Sequence, residues 1–211
     1  MQIIVLADAL QKEELSISSL PDAGVVWIND ESEFLKYRDA DAFVDLEFLN
    51  DARRKTLLAQ LLPKPVIINS VMDTLAETHL SFIRINGWPT FLSSSLIEAC
   101  CINEEVKQKA EDVFSFFNKK IEWLEDDAGF ITTRVVSMII NEAFIALGEG
   151  VSTKEEINTA MKLGTAYPYG PFEWAEKIGV QNIVTLLNKL SKSQIRYMPS
   201  ELLVQETNKA I

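Results

Sequence analysis

The chain carries one histidine, His79, two adjacent cysteines, Cys100 and Cys101, and an aspartate just beyond each of its first two apolar runs, Asp8 and Asp30. Each type has a chemistry. A histidine can act as a base near neutral pH, paired thiols can form a redox couple or hold zinc, and a carboxylate after a strand can bind a ribose hydroxyl. Their positions narrow these options. Adjacent cysteines cannot staple a loop and lack C-x-x-C spacing, so both are expected as buried thiols on a strand. His79 falls in a segment that reads as a helix end or loop, where a surface or capping role is expected. No metal site is expected.

Asp8 and Asp30 raise the question of a dinucleotide. Such a site needs G-x-G-x-x-G straight after the first strand, so that the backbone can turn tightly and approach a pyrophosphate at a helix N-terminus. Here the strand is followed by Ala7, Asp8, Ala9, Leu10, Gln11 and Lys12. Glycine is missing at Ala7, Ala9 and Lys12, and Asp8 brings negative charge to the place of the phosphates. The usual NAD site is therefore not expected, and no cofactor is assigned.

The elements that would position these residues fall into two halves. Strands are expected at Ile3–Ala7, Val25–Asn29, Ala42–Leu46, Pro65–Asn69, Ser81–Ile85, Ser95–Cys100 and Lys120–Leu124. They are β-branched and some are apolar throughout, as parallel strands buried on both faces are. Val106, Ala110, Val113, Phe114 and Phe117 fall on one face of a helix among them. Only Val25–Asn29 lies between the first strand and Ala42–Leu46, so the sheet is expected to be abbreviated.

Beyond Gly129 the pattern is helical. Val135, Met138, Ile139, Ala143, Phe144 and Leu147 stripe a helix from about Thr133, with Gly148 and Gly150 available for a left-handed cap. Ser152 and Glu155 read as a capping box for a second helix, with Ile157, Ala160 and Met161 inward and Gly164 at its end. Pro171 opens a third helix that stops at Gly179. Val180, Ile183, Leu186, Leu187 and Leu190 stripe a fourth, and Pro199 to Lys209 form a fifth. The expected organisation is an α/β domain, 1–127, with an abbreviated Rossmann-like sheet, then an all-α domain, 128–211. EDDAG, residues 125–129, is the only hinge between them.

Composition excludes several function classes. Across 211 residues the net charge is -11 and the pI about 4.6, which disfavours an extended phosphate-binding surface and argues against nucleic acid as a partner. No apolar run approaches the roughly 18 residues of a membrane span, and the start lacks a basic region followed by an apolar one. A soluble, cytoplasmic protein is expected. The wide apolar face of Thr133–Leu147 suits a dimer seam, and a central helix buried within its own domain would explain it equally. Tyr167, Tyr169, Phe172 and Trp174 are read as packing around a Gly-Pro turn rather than as a ligand box.

Gly129–Gly179, GFITTRVVSMIINEAFIALGEGVSTKEEINTAMKLGTAYPYGPFEWAEKIG, resembles the start of the C-terminal helical domain of the 3-hydroxyacyl-CoA dehydrogenases in order, spacing and residue type. QIRYMPSELLVQE, from Gln194, resembles that family's RYRPSPLL segment. INGWPTFLSSSLIE, from Ile85, resembles its LHFFNPVPVMKLVE, and PVIIN its strand before a Ser-Asn turn. The resemblance implies an NAD-binding Rossmann domain, a helical domain that dimerises, and hydride transfer from a 3-hydroxyacyl-CoA to NAD in fatty acid metabolism.

It also implies site residues. Glu98 matches the family's Glu, which orients a catalytic His twelve residues earlier, and Asn86 stands in the place of that His. Thr133 stands where the family has a substrate-holding Asn. The family's Ser aligns with Val71, with Ser70 one residue away. A carboxamide cannot accept the proton that the family's base removes, and general-base catalysis is worth about 100- to 10,000-fold. The reading is a family member without dehydrogenase activity that binds an acyl-CoA-like ligand or a partner. One alternative is a divergent NAD-dependent dehydrogenase. Another is a structural subunit of a homo- or heterodimer, a homodimer through the helical domain being the expected assembly.

Overall fold

Ile3–Leu6 (β1) is IIVL, and all four residues are buried. Strand geometry explains why: successive side chains point to opposite faces, so a run apolar throughout fits a strand covered on both. Ile3 and Val5 join a core with Val44, Ile67, Ile85, Phe114 and Phe117, while Ile4 and Leu6 join Phe43, Ile68, Phe34, Leu58 and Phe82. The structure, a computed structural model of the chain, describes residues 1–16, 24–79 and 81–208.

The remaining strands are Val25–Ile28 (β2), Ala42–Asp45 (β3), Val66–Asn69 (β4), Ile83–Ile85 (β5), Leu96–Cys100 (β6) and Lys120–Trp123 (β7). They form one seven-stranded sheet in the order β2-β1-β3-β4-β5-β6-β7. Leu6 pairs with Ile28 on one side and Asp45 on the other, both in parallel. The connections leaving β1 and β2 thus diverge across β1, the kind of switch point at which open α/β sheets hold ligands. Among the described residues β2 alone lies beyond β1, which is the abbreviation expected.

The sheet is not parallel throughout. β6 runs antiparallel to β5, with Arg84 opposite Cys100, and then parallel to β7. Residues 86–95 between β5 and β6 carry no helix, and a parallel return needs a crossover of a dozen residues or more. Among the described residues, four α-helices belong to this part: Ala9–Ser16 (α1), Ala52–Ala59 (α2), Leu75–Thr78 (α3) and Lys107–Ser115 (α4). α4 buries Ala110, Val113 and Phe114, the face read from its period.

The chain divides into two units, Met1–Phe130 and Ile131–Ile211. The second is helical: Thr132–Gly148 (α5), Lys154–Thr165 (α6), Pro171–Ile178 (α7), Val180–Ser191 (α8) and Glu201–Thr207 (α9). Lys209, the expected end of the last helix, lies outside the described residues. Pro171 takes the first turn of α7 and Gly179, at φ 90°, ends it. Phe172 and Trp174 are buried, with Tyr167 and Tyr169 half-buried against Trp174 at ring-centroid distances of 5.4 and 6.1 Å.

Local readings shift in three places. The capping box of α6 is Thr153 with Glu156, not Ser152 with Glu155. Both pairs have the right spacing, but only Thr153 is extended immediately before the first helical residue, and Ser152 instead donates to Glu156. Gly164 lies inside α6, whose left-handed cap is Ala166 at φ 56°. Pro168 sets that end, because the residue before a proline is pushed out of the helical region. On the same helix Ala160 is exposed, and Ile157 and Met161 are only half-buried.

The cysteines also separate. Cys100 closes β6 and is buried, whereas Cys101 lies one residue beyond the strand and is half-buried.

Candidate functional site

Asn86 and Glu98 meet because β5 and β6 are neighbours: the Asn86 amide N–H donates to the Glu98 carbonyl in the ladder. Their side chains follow. Asn86 Nδ2 donates to Glu98 Oε2 at 3.0 Å, with both residues buried. The carboxylate is therefore engaged by a neutral amide that offers a donor and no titratable proton acceptor.

Ser70 follows β4, and its backbone N–H donates to the Ile85 carbonyl. Its hydroxyl donates to the carbonyl of Asp73 at 2.8 Å, closing its own turn. Val71, the other candidate for that position, is buried. Thr133 belongs to the second unit, in the first turn of α5, with no exposed surface. His79 is the exposed, left-handed C-cap of α3, its N–H donating to Leu75.

The loop after β1 is shaped by its side chains. Gln11 N donates to Asp8 Oδ1 at 2.8 Å and Asp8 N donates to Gln11 Oε1 at 3.1 Å, a reciprocal cap on α1. Asp8 thus spends its carboxylate on a helix N-terminal amide. Asp30 likewise caps a short 3-10 turn, accepting from the backbone and hydroxyl of Ser32, and these bonds hold its carboxyl below the usual aspartate range. Among the described residues, no group of three potential metal ligands occurs, and no helix is long and apolar enough to cross a membrane.

A family model described as the 3-hydroxyacyl-CoA dehydrogenase C-terminal domain matches residues 129–209. The 3-hydroxybutyryl-CoA dehydrogenase of Bradyrhizobium diazoefficiens is 31% identical over 161 residues, 70% of this chain and 55% of that protein. The chain belongs to the 3-hydroxyacyl-CoA dehydrogenase family. The 3-hydroxyadipyl-CoA dehydrogenase of Escherichia coli is 39% identical over 112 residues, 52% of this chain and 24% of that protein. The matches thus span between about a quarter and about half of these two relatives. Among solved structures of the family, (S)-3-hydroxybutyryl-CoA dehydrogenase from Ralstonia eutropha superposes with a TM-score of 0.74, covering 99% of this chain and 94% of that one. At 17% identity this likeness speaks for the fold.

Three residues near the family's positions were not singled out from the sequence. Arg84 is fully buried on β5 between Ile83 and Ile85. A lone charge in an apolar strand is the signal that marks it, because a buried cation requires partners. Asn69 and Gln11 carry no such signal: Gln11 caps α1 locally with Asp8, but the carbonyls that the two amide nitrogens reach are distant in sequence.

Proposed function

We propose that this chain is a non-catalytic member of the 3-hydroxyacyl-CoA dehydrogenase family, retaining the scaffold to bind an acyl-CoA-like ligand or a protein partner. The observation that carries the reading is the Asn86–Glu98 hydrogen bond, in which an amide stands where the family places its base. The family's cofactor, NAD, does not fit the residues after β1. A pyrophosphate needs close backbone approach and open helix amides, whereas Asp8 supplies a carboxylate and already occupies the Gln11 amide.

NADH oxidation with acetoacetyl-CoA tests this reading on the wild type and on Asn86→His. No rate above buffer is expected for either, because restoring an imidazole beside Glu98 leaves the cofactor loop as it is. Turnover by the wild type, together with micromolar NADH binding in a calorimetric titration, would overturn it. The identity to 3-hydroxybutyryl-CoA dehydrogenases and the retained Glu98 favour the alternative of a divergent dehydrogenase, which predicts that turnover. Titration with acetoacetyl-CoA alone reads ligand binding separately from catalysis.

The partner proposed is a second copy of the chain, through the helical unit. α5 buries Val136, Ile140, Ala143 and Phe144 but leaves Val135 51% exposed. A shallow groove of about 470 Å³ runs along that side, lined by Arg134, Val135, Met138, Ile139, Glu142, Arg196 and Tyr197. Ile195 and Met198, exposed on the following turn, extend the apolar surface. A soluble protein gains by covering such a patch.

A further inference from the structure

The carbonyl of Leu46, at the end of β3, accepts two side-chain amides: Gln11 Nε2 at 2.9 Å and Asn69 Nδ2 at 3.1 Å. Gln11 comes from α1 and Asn69 from the end of β4. Asn69 continues the chain of bonds, since its Nδ2 also donates to the Gly87 carbonyl at 3.2 Å and its Oδ1 accepts from the Gly87 amide at 3.0 Å. Gly87 permits this approach because a Cβ there would stand 2.8 Å from Asn69 Cγ. A second tie leaves α1 farther along: the buried Glu14 accepts from the Thr90 amide at 2.7 Å.

These bonds run along the carboxyl ends of β1, β3, β4 and β5, the side of the sheet on which a doubly wound fold holds its ligand. Gln11, Leu46 and Gly87 are buried, so the links are made away from water. The Leu46 carbonyl and the Asn69 amide each make two of these bonds, and each group so engaged is withdrawn from any ligand.

We propose that this belt of amides is a structural lock that closes the switch-point crevice and takes over from a dinucleotide the bridging of α1 to β3, β4 and β5. The inference rests on the reading that the chain does not use NAD, and goes further, because a merely degenerate loop would leave the crevice open and contribute nothing to stability. Each link has a distinct part. Asp8 and Gln11 hold the loop, Gln11 and Asn69 share one acceptor, and Asn69 draws the turn after β5 against β4.

The test uses the full chain and the variants Gln11→Met, Asn69→Ala and both together, with NADH as the probe. Each single change is expected to lower the melting midpoint by about 2–4 °C, the effect of roughly one buried hydrogen bond in a protein of this size. The double variant is expected to lose more than the sum, because the Leu46 carbonyl keeps one donor in either single variant and none in the double. Wild type is expected to give no saturable NADH fluorescence at millimolar concentrations. Single variants as stable as wild type, or strictly additive losses, overturn the lock while leaving the non-catalytic reading standing. Saturable NADH binding by the wild type overturns the lock, and only turnover with acetoacetyl-CoA overturns that reading as well. Hydrogen exchange on Asn69→Ala checks the links without the double variant: the Gly87 amide must lose protection, and unchanged protection overturns the bond.

Discussion

Arg84 and Asp126 form an ion pair of 2.6 Å, with the guanidinium fully buried and the carboxylate 24% exposed. The same guanidinium donates to the carbonyls of Ser70, Val71 and Asp127 and lies 4.3 Å from the centroid of the Phe130 ring. Asp126 in turn accepts from the amides of Leu75 and Ala76 at the start of α3. One side chain therefore ties the end of β4, α3 and residues 126–130 to the sheet. Gly129 N completes the attachment with a 2.7 Å bond to Val71 O.

Removing that guanidinium takes the cationic partner from a partly buried carboxylate and a donor from three carbonyls, of which Val71 keeps the Gly129 amide. Arg84→Met, which keeps the apolar stem, is expected to cost about 3–5 kcal/mol, the range for breaking one side of a buried pair. Urea unfolding followed by the fluorescence of Trp88 and Trp123 measures it. A loss below about 1 kcal/mol would place Arg84 among surface pairs in its effect.

The pair also predicts a pH dependence. Burial pushes the Asp126 carboxyl up, but the Leu75 and Ala76 amides and Arg84 together outweigh it, so its pKa lies below the ordinary value. A carboxyl depressed in the folded state contributes stability above its unfolded pKa of about 4, and that contribution is lost as pH falls through the folded value. Asp126→Asn is therefore expected to be less stable at neutral pH and to lose less on acidification below about pH 4 than wild type does. Equal slopes in acid would show that the carboxylate is not linked to folding.

How much of this could be read in advance differs from element to element. β1 declares itself, because a short, mostly β-branched run that is apolar throughout suits a doubly covered strand, and α4 shows its face through period alone. The cap of α6 was ambiguous, since Ser152 and Thr153 each precede a glutamate by three residues and only the backbone chooses between them. The direction of β6 depends on what residues 86–95 do not contain. Asn86 and Glu98 could be paired from the family's spacing, whereas Gln11, Asn69 and Arg84 act on groups 35, 18 and 42 residues away. No local pattern encodes such contacts.

The corner between α6 and α7 gives a steric prediction. Gly170 has φ -74° and ψ 163°, a conformation open to any residue, so what glycine supplies there is space and not backbone freedom. A Cβ there would overlap the Asn158 side chain, whose Oδ1 accepts from the Phe172 amide at 3.0 Å. Gly170→Ala is expected to cost about 1–3 kcal/mol, because the Asn158 side chain and the backbone that carries its Cβ must both shift. Because Asn158 Cβ itself would stand 2.5 Å from the new methyl, only Asn158→Gly removes the overlap: adding Gly170→Ala to Asn158→Gly should cost little more than Asn158→Gly alone, which a urea double-mutant cycle reads directly.

The two thiols are expected to differ in reactivity. Burial, then the neighbouring Asp126, pushes Cys100 up to about 12. Burial also raises Cys101, which Lys107 partly offsets. The thiolate is the reactive form, so both are slowed at pH 8. Iodoacetamide followed by mass spectrometry should show one slow modification, at Cys101, and a second only after denaturation. Rapid labelling of Cys100 in the folded protein would contradict the burial of β6.

Assembly through α5 can be tested without disturbing the fold of the helical unit. Val135 and Met198 are 51% and 52% exposed, so a charge at either position faces water in a single copy. A second copy seated on the groove would have to bury that charge, and an unpaired buried charge is costly enough to reverse association at micromolar concentration. Light scattering on wild type is expected to give twice the chain mass of 23.8 kDa, and on Val135→Glu or Met198→Glu the single mass with unchanged helical content. If wild type scatters as a single copy, the groove is not a self-interface. If both variants remain dimers, the copies meet on a different face of the chain.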